Sequence, residues 1–110
     1  MERTIAVSEL REALAKTDEN IALLDIRRKA DYDADQLRLP DATWYDPEQI
    51  DQWITTLPKD KDIVVYCVRG GSVSNSVVDR LHKENIPARY ISGGIEAWKA
   101  AGGATEDKEE

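Results

Sequence analysis

Residues 63–75 decide the fold, and they read Ile63-Val64-Val65-Tyr66-Cys67-Val68-Arg69-Gly70-Gly71-Ser72-Val73-Ser74-Asn75. The stretch begins as an apolar, mostly β-branched run of strand length, passes through a loop with two glycines and one arginine, and enters a helical pattern. Cys67, the only cysteine of the chain, lies where the strand pattern ends. An isolated cysteine is usually a small core residue, but the loop that follows this one favours a reactive thiol.

Strand and helix patterns alternate on both sides of this stretch. The apolar runs predict strands at 4–6, 21–24, 43–44, 63–66 and 88–91, and the periodic segments predict helices at 8–16, 29–36, 46–57, 74–83 and 95–99. We expect Ser8 to cap the first helix, and Asp46 with Pro47 to begin the third. This order predicts an α/β fold with a central, mostly parallel sheet of about five strands and helices on both faces.

Three predicted strands end in residues that can do chemistry. Asp25 follows one strand, Cys67 the next and Ser92 the last. In parallel sheets, ligand sites lie outside the carboxyl ends of the strands. We therefore expect these three segments to converge on one edge of the sheet and to form the functional site there.

The loop after Cys67 favours a thiolate, which is the nucleophilic form of cysteine. Gly70 and Gly71 allow successive amide N–H groups to point inward as an anion-binding nest. The helix predicted from Ser74 directs its positive end at the same place, and Arg69 adds a permanent positive charge. A thiolate that is already ionised needs no general base, so the loop suits attack on sulfur better than ester hydrolysis.

Several motifs of the chain occur together in one known family. They are Leu24-Asp25-Ile26-Arg27, Tyr32, Leu39-Pro40-Asp41-Ala42, Val64-Val65-Tyr66-Cys67 with its loop to Ser72, and Tyr90-Ile91-Ser92-Gly93-Gly94-Ile95-Glu96-Ala97-Trp98. On these residues the chain resembles single-domain rhodaneses, the thiosulfate sulfurtransferases, from about Leu23 to Trp98. The resemblance implies a rhodanese-like domain over residues 1–103.

The resemblance also implies a reaction. Cys67 would take sulfane sulfur from thiosulfate or a related donor as a persulfide, and pass it to cyanide or to a thiol acceptor, which could be a protein thiol. The implied binding residues are the loop residues, whose backbone N–H groups would hold the sulfur or the anion: Val68, Arg69, Gly70, Gly71, Ser72 and Val73. No metal or cofactor is implied.

The chain departs from the family pattern at three places. Ser72 lies where many members have arginine, Arg38 takes the position of a histidine, and Asp41 replaces a turn glycine. We interpret Asp25 and Arg27 as an ion pair at a strand end that supports the loop, and leave Arg38 open between a surface residue and a cation at the rim of the site. We expect Arg28 to be solvated and His82 to be exposed. The three tryptophans, Trp44, Trp53 and Trp98, are expected to lie in the core or to be half-buried.

The composition of the chain argues against nucleic-acid binding, a disulfide, a zinc site and a membrane anchor. The chain has 110 residues, enough for one domain, and a formal charge of −7 from 22 acidic and 15 basic residues, which disfavours nucleic acid. One cysteine and one histidine allow no internal disulfide and leave too few ligands for zinc. Without a membrane-length apolar run or a signal-peptide pattern, we expect a cytoplasmic protein that binds no membrane. Residues 104–110 are acidic and are interpreted as a flexible, solvated tail.

Two other classes of function remain open. One is a non-enzymatic rhodanese-like module that docks a partner or senses redox state. The other is a Cys-loop phosphatase or arsenate reductase, but that chemistry typically has an arginine after five intervening residues, where this chain has Val73.

Overall fold

The structure is a computed structural model that describes residues 3–16, 20–58 and 60–108. Its strands are β1 Thr4–Ile5, β2 Ile21–Asp25, β3 Leu37–Arg38, β4 Thr43–Trp44, β5 Asp62–Tyr66, β6 Ala88–Ile91 and β7 Glu106–Asp107. Its helices are α1 Val7–Ala15, α2 Lys29–Ala34, α3 Ile50–Trp53, α4 Ser72–Lys83 and α5 Gly94–Ala100, with short 3₁₀ turns at Pro47–Gln49 and Ile54–Thr56 on either side of α3. None of the helices in these ranges combines the length and the apolar character that a bilayer crossing requires.

The main sheet has five strands in the order β1-β6-β5-β2-β4, and every neighbouring pair is parallel. This confirms the predicted fold class. Alternate residues of β5 and the residue after it face opposite sides, as the two-residue period of a strand requires. Val65 and Cys67 contact the core beneath α3 and α4, whereas Val64 and Tyr66 contact the core beneath α1 and α5.

Two predicted helix starts differ from the structure. Helix α1 begins at Val7, and the backbone N–H of Ala6 donates to Glu9 Oε1 at 3.1 Å, so Ser8 lies inside the first turn and is not the cap. Helix α4 begins at Ser72, two residues earlier than predicted, because Gly71 accepts its first helical hydrogen bond, from the N–H of Asn75. The start at Asp46 is confirmed, since its side chain accepts from the N–H of Glu48 at 2.9 Å, although a 3₁₀ turn follows.

The interpretation of residues 104–110 as a flexible tail is wrong for residues 104–108. Strand β7 pairs antiparallel with β3, and Arg38 bridges to Glu106 at 2.7 Å. The indole N–H of Trp98 donates to the carbonyl oxygen of Ala104 at 2.7 Å. The backbone N–H of Lys108 donates to the carbonyl oxygen of Gln36 at 2.9 Å. Backbone pairing and an ion pair therefore hold residues 104–108 against the domain, although the segment has almost no apolar side chain that could pack into the core. Residues 109 and 110 lie outside the described residues.

Candidate active site

Cys67 lies directly after β5, at the carboxyl edge of the parallel sheet. Its side chain is 6% exposed and forms part of the wall of an open cavity of about 290 Å³, which we call the Cys67 cavity. The other lining residues come from two segments: Val68, Arg69, Gly71, Ser72 and Val73 from the loop and the start of α4, and Arg27, Arg28 and Asp31 from the segment after β2. The structure therefore brings the predicted loop to a cavity at the predicted edge of the sheet.

Close backbone packing holds the loop in place. Gly94 has a φ of +62°, and a Cβ atom there would lie 2.5 Å from the carbonyl oxygens of both Cys67 and Val68. Those two carbonyls accept hydrogen bonds from the N–H groups of Ile95 and Glu96, at 3.0 and 3.1 Å. Glycine is required at this position because any side chain would push the loop and the start of α5 apart.

The sulfur of Cys67 accepts a hydrogen bond from a buried hydroxyl. Ser74 Oγ lies 3.0 Å from Cys67 Sγ, and Ser74 is fully buried. Ser72 and Val73 line the cavity in the first turn of α4, where the backbone N–H groups have no partner within the helix. The positive end of the helix and the Ser74 hydroxyl therefore both favour negative charge on this sulfur or on a group beside it.

Besides the buried Arg27, two exposed arginines line the cavity, and only one of them has a carboxylate as partner. The side chain of Arg69 is 80% exposed, and its Nε lies 3.2 Å from Glu96 Oε2, so a carboxylate offsets part of its charge. Arg28 is also exposed, as expected, but it lines the cavity, and within the part of the chain that the structure describes no carboxylate lies within 4.0 Å of its guanidinium. Arg38 is not at the rim, because it pairs with Glu106 in the small sheet of β3 and β7.

A buried ion pair of Arg27 and Asp25 forms part of the cavity's support, and Arg27 lines the cavity. Arg27 Nη2 lies 2.7 Å from Asp25 Oδ2, and both side chains are 1% exposed, as the sequence led us to expect for a structural pair. Burial works against the charged guanidinium, but the hydrogen bond and charge of Asp25 outweigh it, and the pKa of Arg27 is raised. Arg27 also donates to Asp35 at 3.0 Å and to the carbonyl of Leu37 at 3.1 Å. Its charge is thus balanced by two carboxylates.

Asp35 extends this ion pair to α5. Its Oδ2 accepts from Lys99 Nζ at 2.6 Å, and its Oδ1 accepts from the N–H of Leu37 at 3.0 Å. Partial burial alone would raise the pKa of Asp35, but the bonds from Lys99 and Leu37 and the charges of Lys99 and Arg27 together lower it. The carboxylate ties α5 and the edge strand β3 to the residues beneath the cavity.

The remaining side chains that the sequence singled out have structural positions. Trp53 and Trp98 are buried at 8% and 2%, and Trp44 stacks on Tyr32 with ring centroids 4.6 Å apart, which confirms the packing interpretation. His82 is half-buried, and its Nε2 lies 2.9 Å from the carbonyl of Ala88, so the expectation of an exposed histidine is wrong. Ser92 is exposed at the end of β6 and does not line the Cys67 cavity.

Sequence reasoning missed three residues of the cavity region: Arg28, Asp31 and Ser74. A signal for Ser74 was present, because Ser74, Val77, Val78 and Leu81 follow helical spacing and all four are buried. A hydroxyl at the first position of an apolar stripe requires a polar partner, and the thiol seven residues earlier is that partner. Arg28 and Asp31 carried no such signal, since both belong to a charged, exposed segment.

Within residues 3–16, 20–58 and 60–108, no group of three or more His, Cys, Asp or Glu side chains could hold a metal ion.

Comparison with known proteins gives consistent matches. The family model for the rhodanese-like domain matches residues 6–101. A sulfurtransferase of Allochromatium vinosum is 30% identical over 102 residues, which are 93% of this chain and 92% of that protein. A rhodanese-like domain of Anabaena, solved by NMR, is 28% identical with a TM-score of 0.81, and the match covers 97% of this chain and 80% of that one. A thiosulfate sulfurtransferase from Pseudomonas aeruginosa is 26% identical with a TM-score of 0.78, and the match covers 100% of this chain and 20% of that one.

Proposed function

This chain belongs to the rhodanese-like domain family, and on that premise we propose that it is a sulfurtransferase that carries sulfane sulfur as a persulfide on Cys67. The observation that carries the proposal is the position of the thiol. It lies at the wall of an open cavity, beside the positive end of α4, and it accepts a hydrogen bond from Ser74. These features favour a thiolate that an external sulfur donor can reach.

In the first half of the reaction, the thiolate of Cys67 attacks the outer sulfur of thiosulfate. A bond forms between Sγ and that sulfur, the sulfur–sulfur bond of the donor breaks, and its electron pair leaves on sulfite. The loop amides of residues 68–73 hold the incoming anion, with Arg69 and Arg28 adding charge at the rim. Sulfite leaves as a stable anion, so no general acid is needed.

In the second half, an acceptor attacks the outer sulfur of the persulfide. The bond between the two sulfurs breaks, and its electron pair returns to Cys67 Sγ as a thiolate. Cyanide or a thiol serves as acceptor in this scheme, and no cofactor takes part. The Ser74 hydroxyl stabilises the charge that returns to Sγ. A reducing compartment such as the cytoplasm suits a working thiol of this kind.

The Cys-loop phosphatase alternative has less support. Phosphoryl chemistry uses an arginine that binds several equatorial oxygens at once, and the position where that arginine would lie is Val73, which is half-buried. Ser72 offers only a hydroxyl and an amide. We therefore expect negligible hydrolysis of aryl phosphates and negligible reduction of arsenate.

One preparation tests both possibilities. We expect thiosulfate and cyanide to yield thiocyanate, and the Cys67→Ser variant to lose this activity while remaining folded. The same preparations are then assayed with an aryl phosphate. Phosphate hydrolysis that exceeds sulfur transfer and disappears in Cys67→Ser would replace the proposal with the phosphatase. Absence of both activities would favour the non-enzymatic, partner-binding module.

A further inference from the structure

A second cavity adjoins the Cys67 cavity. It has a volume of about 340 Å³ and lies between α4 and the segment that leads into α3; we call it the α3–α4 groove. Arg28, Ser72 and Val73 line both cavities, so the two lie side by side, and the first of them contains the thiol. Each volume lies near the lower end of the range for small-molecule sites. Thiosulfate and cyanide need only the first cavity, which leaves the groove without a ligand.

The groove has apolar side chains on two sides, among polar and charged residues. Pro47 and Ile50 form one wall, and Val73 and Val77 form the other. Ile50 and Val73 are only partly buried against the core, so part of each side chain remains accessible from the groove. Contact with an aliphatic chain would remove this apolar surface from water, which is favourable for each methylene group buried.

Of the two arginines that line the groove, only Arg28 has no carboxylate as an ion-pair partner among the described residues. Arg80 at the far side pairs with Asp51 at 2.6 Å and with Glu84 at 3.6 Å. Arg28 lies where the two cavities meet, and no carboxylate of the described residues pairs with it. The nearby carboxylates are Glu48, which lines the groove, and Asp31, which lines the Cys67 cavity, and neither forms an ion pair with Arg28. In a chain with a formal charge of −7, an unpaired arginine beside an apolar groove is complementary to an acid with an aliphatic chain.

We propose that the α3–α4 groove binds the acceptor, and that the acceptor is a small aliphatic thiol that carries a carboxylate. This inference rests on the proposed sulfurtransferase function and names the acceptor class of the same site. The thiol enters the Cys67 cavity, the chain lies against Ile50 and Val77, and the carboxylate folds back to Arg28. Arg28 is then a specificity-determining residue for the second half of the reaction.

The chemical step is balanced without any further reactant. The acceptor thiolate attacks the outer sulfur of the Cys67 persulfide and forms a new sulfur–sulfur bond. The bond from Cys67 Sγ to that sulfur breaks, and the electron pair stays on Sγ as a thiolate. The acceptor leaves as a persulfide anion, so one sulfur atom is transferred and the total charge is unchanged.

The experiment measures the second half-reaction alone. Enzyme loaded with sulfur and freed of donor is mixed with mercaptohexanoate, mercaptohexanol, mercaptopropionate or cyanide, and loss of the persulfide is followed by quenched-flow mass spectrometry. We expect the six-carbon acid to react about tenfold faster, at subsaturating concentration, than the alcohol of equal length, because of its charge-assisted contact. We also expect it to react about tenfold faster than the three-carbon acid, because more methylene groups are buried.

Two variants separate the charge from the apolar wall. Arg28→Gln should bring the ratio of acid to alcohol close to one, and Ile50→Ala should reduce the preference for the longer acid. The rate with each acid is divided by the rate of discharge to cyanide in the same variant, so that a general loss of activity cancels. Arg11→Gln, which removes an exposed arginine on α1, is the matched control and should keep both ratios.

Equal rates for the acid and the alcohol of equal length would overturn the inference, and so would an unchanged ratio of these two rates in Arg28→Gln. In either case, transfer of sulfur to cyanide would still support the proposed sulfurtransferase function. A rate that does not depend on chain length would overturn it as well. If the loaded enzyme transfers sulfur to no acceptor, including cyanide, the proposed function itself fails and the acceptor site fails with it.

Discussion

Replacing Ser74 with alanine tests how the site controls the charge on Cys67. The hydroxyl donates to Sγ at 3.0 Å, and both side chains are buried, so water does not replace the lost bond. A hydrogen bond to a charged group contributes about 1.5–3 kcal/mol. In the discharge step Sγ changes from a neutral, bonded sulfur to a thiolate, so most of this stabilisation develops as the bond breaks. At about 1.36 kcal/mol for each factor of ten, we expect Ser74→Ala to discharge its persulfide roughly 10–100-fold more slowly.

The loading step responds differently. There Sγ begins as a thiolate and ends as a neutral sulfur, so the hydrogen bond weakens during the step. Loading is compared in alkaline buffer, where an ordinary thiol is ionised without help, so that the loss of the hydrogen bond does not act through the amount of thiolate and removes no transition-state stabilisation. The ratio of loading rate to discharge rate should therefore rise by about tenfold or more in Ser74→Ala. A merely structural defect would slow both steps together.

Quenched-flow mass spectrometry measures both rates on one preparation, with thiosulfate as donor and cyanide as acceptor. Ser74→Thr keeps a hydroxyl and should keep most of the discharge rate. Ser8→Ala, which changes an exposed serine in the first turn of α1, should match the parent in both steps. The reasoning is refuted if Ser74→Ala discharges at the parental rate, or if loading and discharge slow by the same factor.

Three further changes test the support of the loop and the charges around it. Gly94→Ala places a Cβ atom 2.5 Å from the carbonyl oxygen of Cys67 at a φ of +62°, so it should cost about 2–4 kcal/mol in urea unfolding; an unchanged midpoint would contradict the close packing. Asp35→Asn should cost about 1–2 kcal/mol near neutral pH. The lowered pKa of Asp35 means that its contribution is present above the unfolded pKa, about 3.9, and is lost as pH falls through the folded pKa. The difference from the parent should therefore disappear in acid, and a pH-independent difference would contradict the charge argument. Glu96→Gln removes the partner of Arg69 and should lower the KM for thiosulfate about two- to threefold at low salt, with less effect at high salt; an equal KM at all salt concentrations would show that this cation does not bind the donor.

The sequence predicts the sheet well because its central strands are continuous apolar runs. Residues 21–25 and 62–66 are buried on both faces in the structure over most of their length, and such runs are typical of parallel sheets. The position of Cys67 follows directly, since the residue after a parallel strand lies at the carboxyl edge. The sequence pattern predicts the start of α4 at Ser74, two residues late, because Ser72 and Val73 show no helical pattern of their own. A backbone hydrogen bond from Asn75 to Gly71 sets the start at Ser72.

Features that depend on tertiary contact could not be predicted in the same way. Residues 104–108 contain no apolar periodicity, yet pairing with β3 and the bond from Trp98 hold them. Arg28 lies in a charged segment whose pattern indicates only solvent exposure, and it lines the cavity because the fold brings it to the loop after Cys67, which is distant in sequence. The sequence predicts Arg69 as a permanent positive charge in the loop, but it does not show that the turn of α5 brings Glu96 to this guanidinium. In each case the partner is distant in the chain, and local propensity carries no information about it.

The most direct test of the central claim is the intact mass of the protein after incubation with thiosulfate and removal of the donor. We expect the parent to gain about 32 Da, the mass of one sulfur atom on a thiolate nucleophile, and to lose it again on addition of cyanide. Cys67→Ser should gain nothing. A parent whose mass stays unchanged in excess thiosulfate, or a Cys67→Ser protein that gains the same mass, would contradict the account.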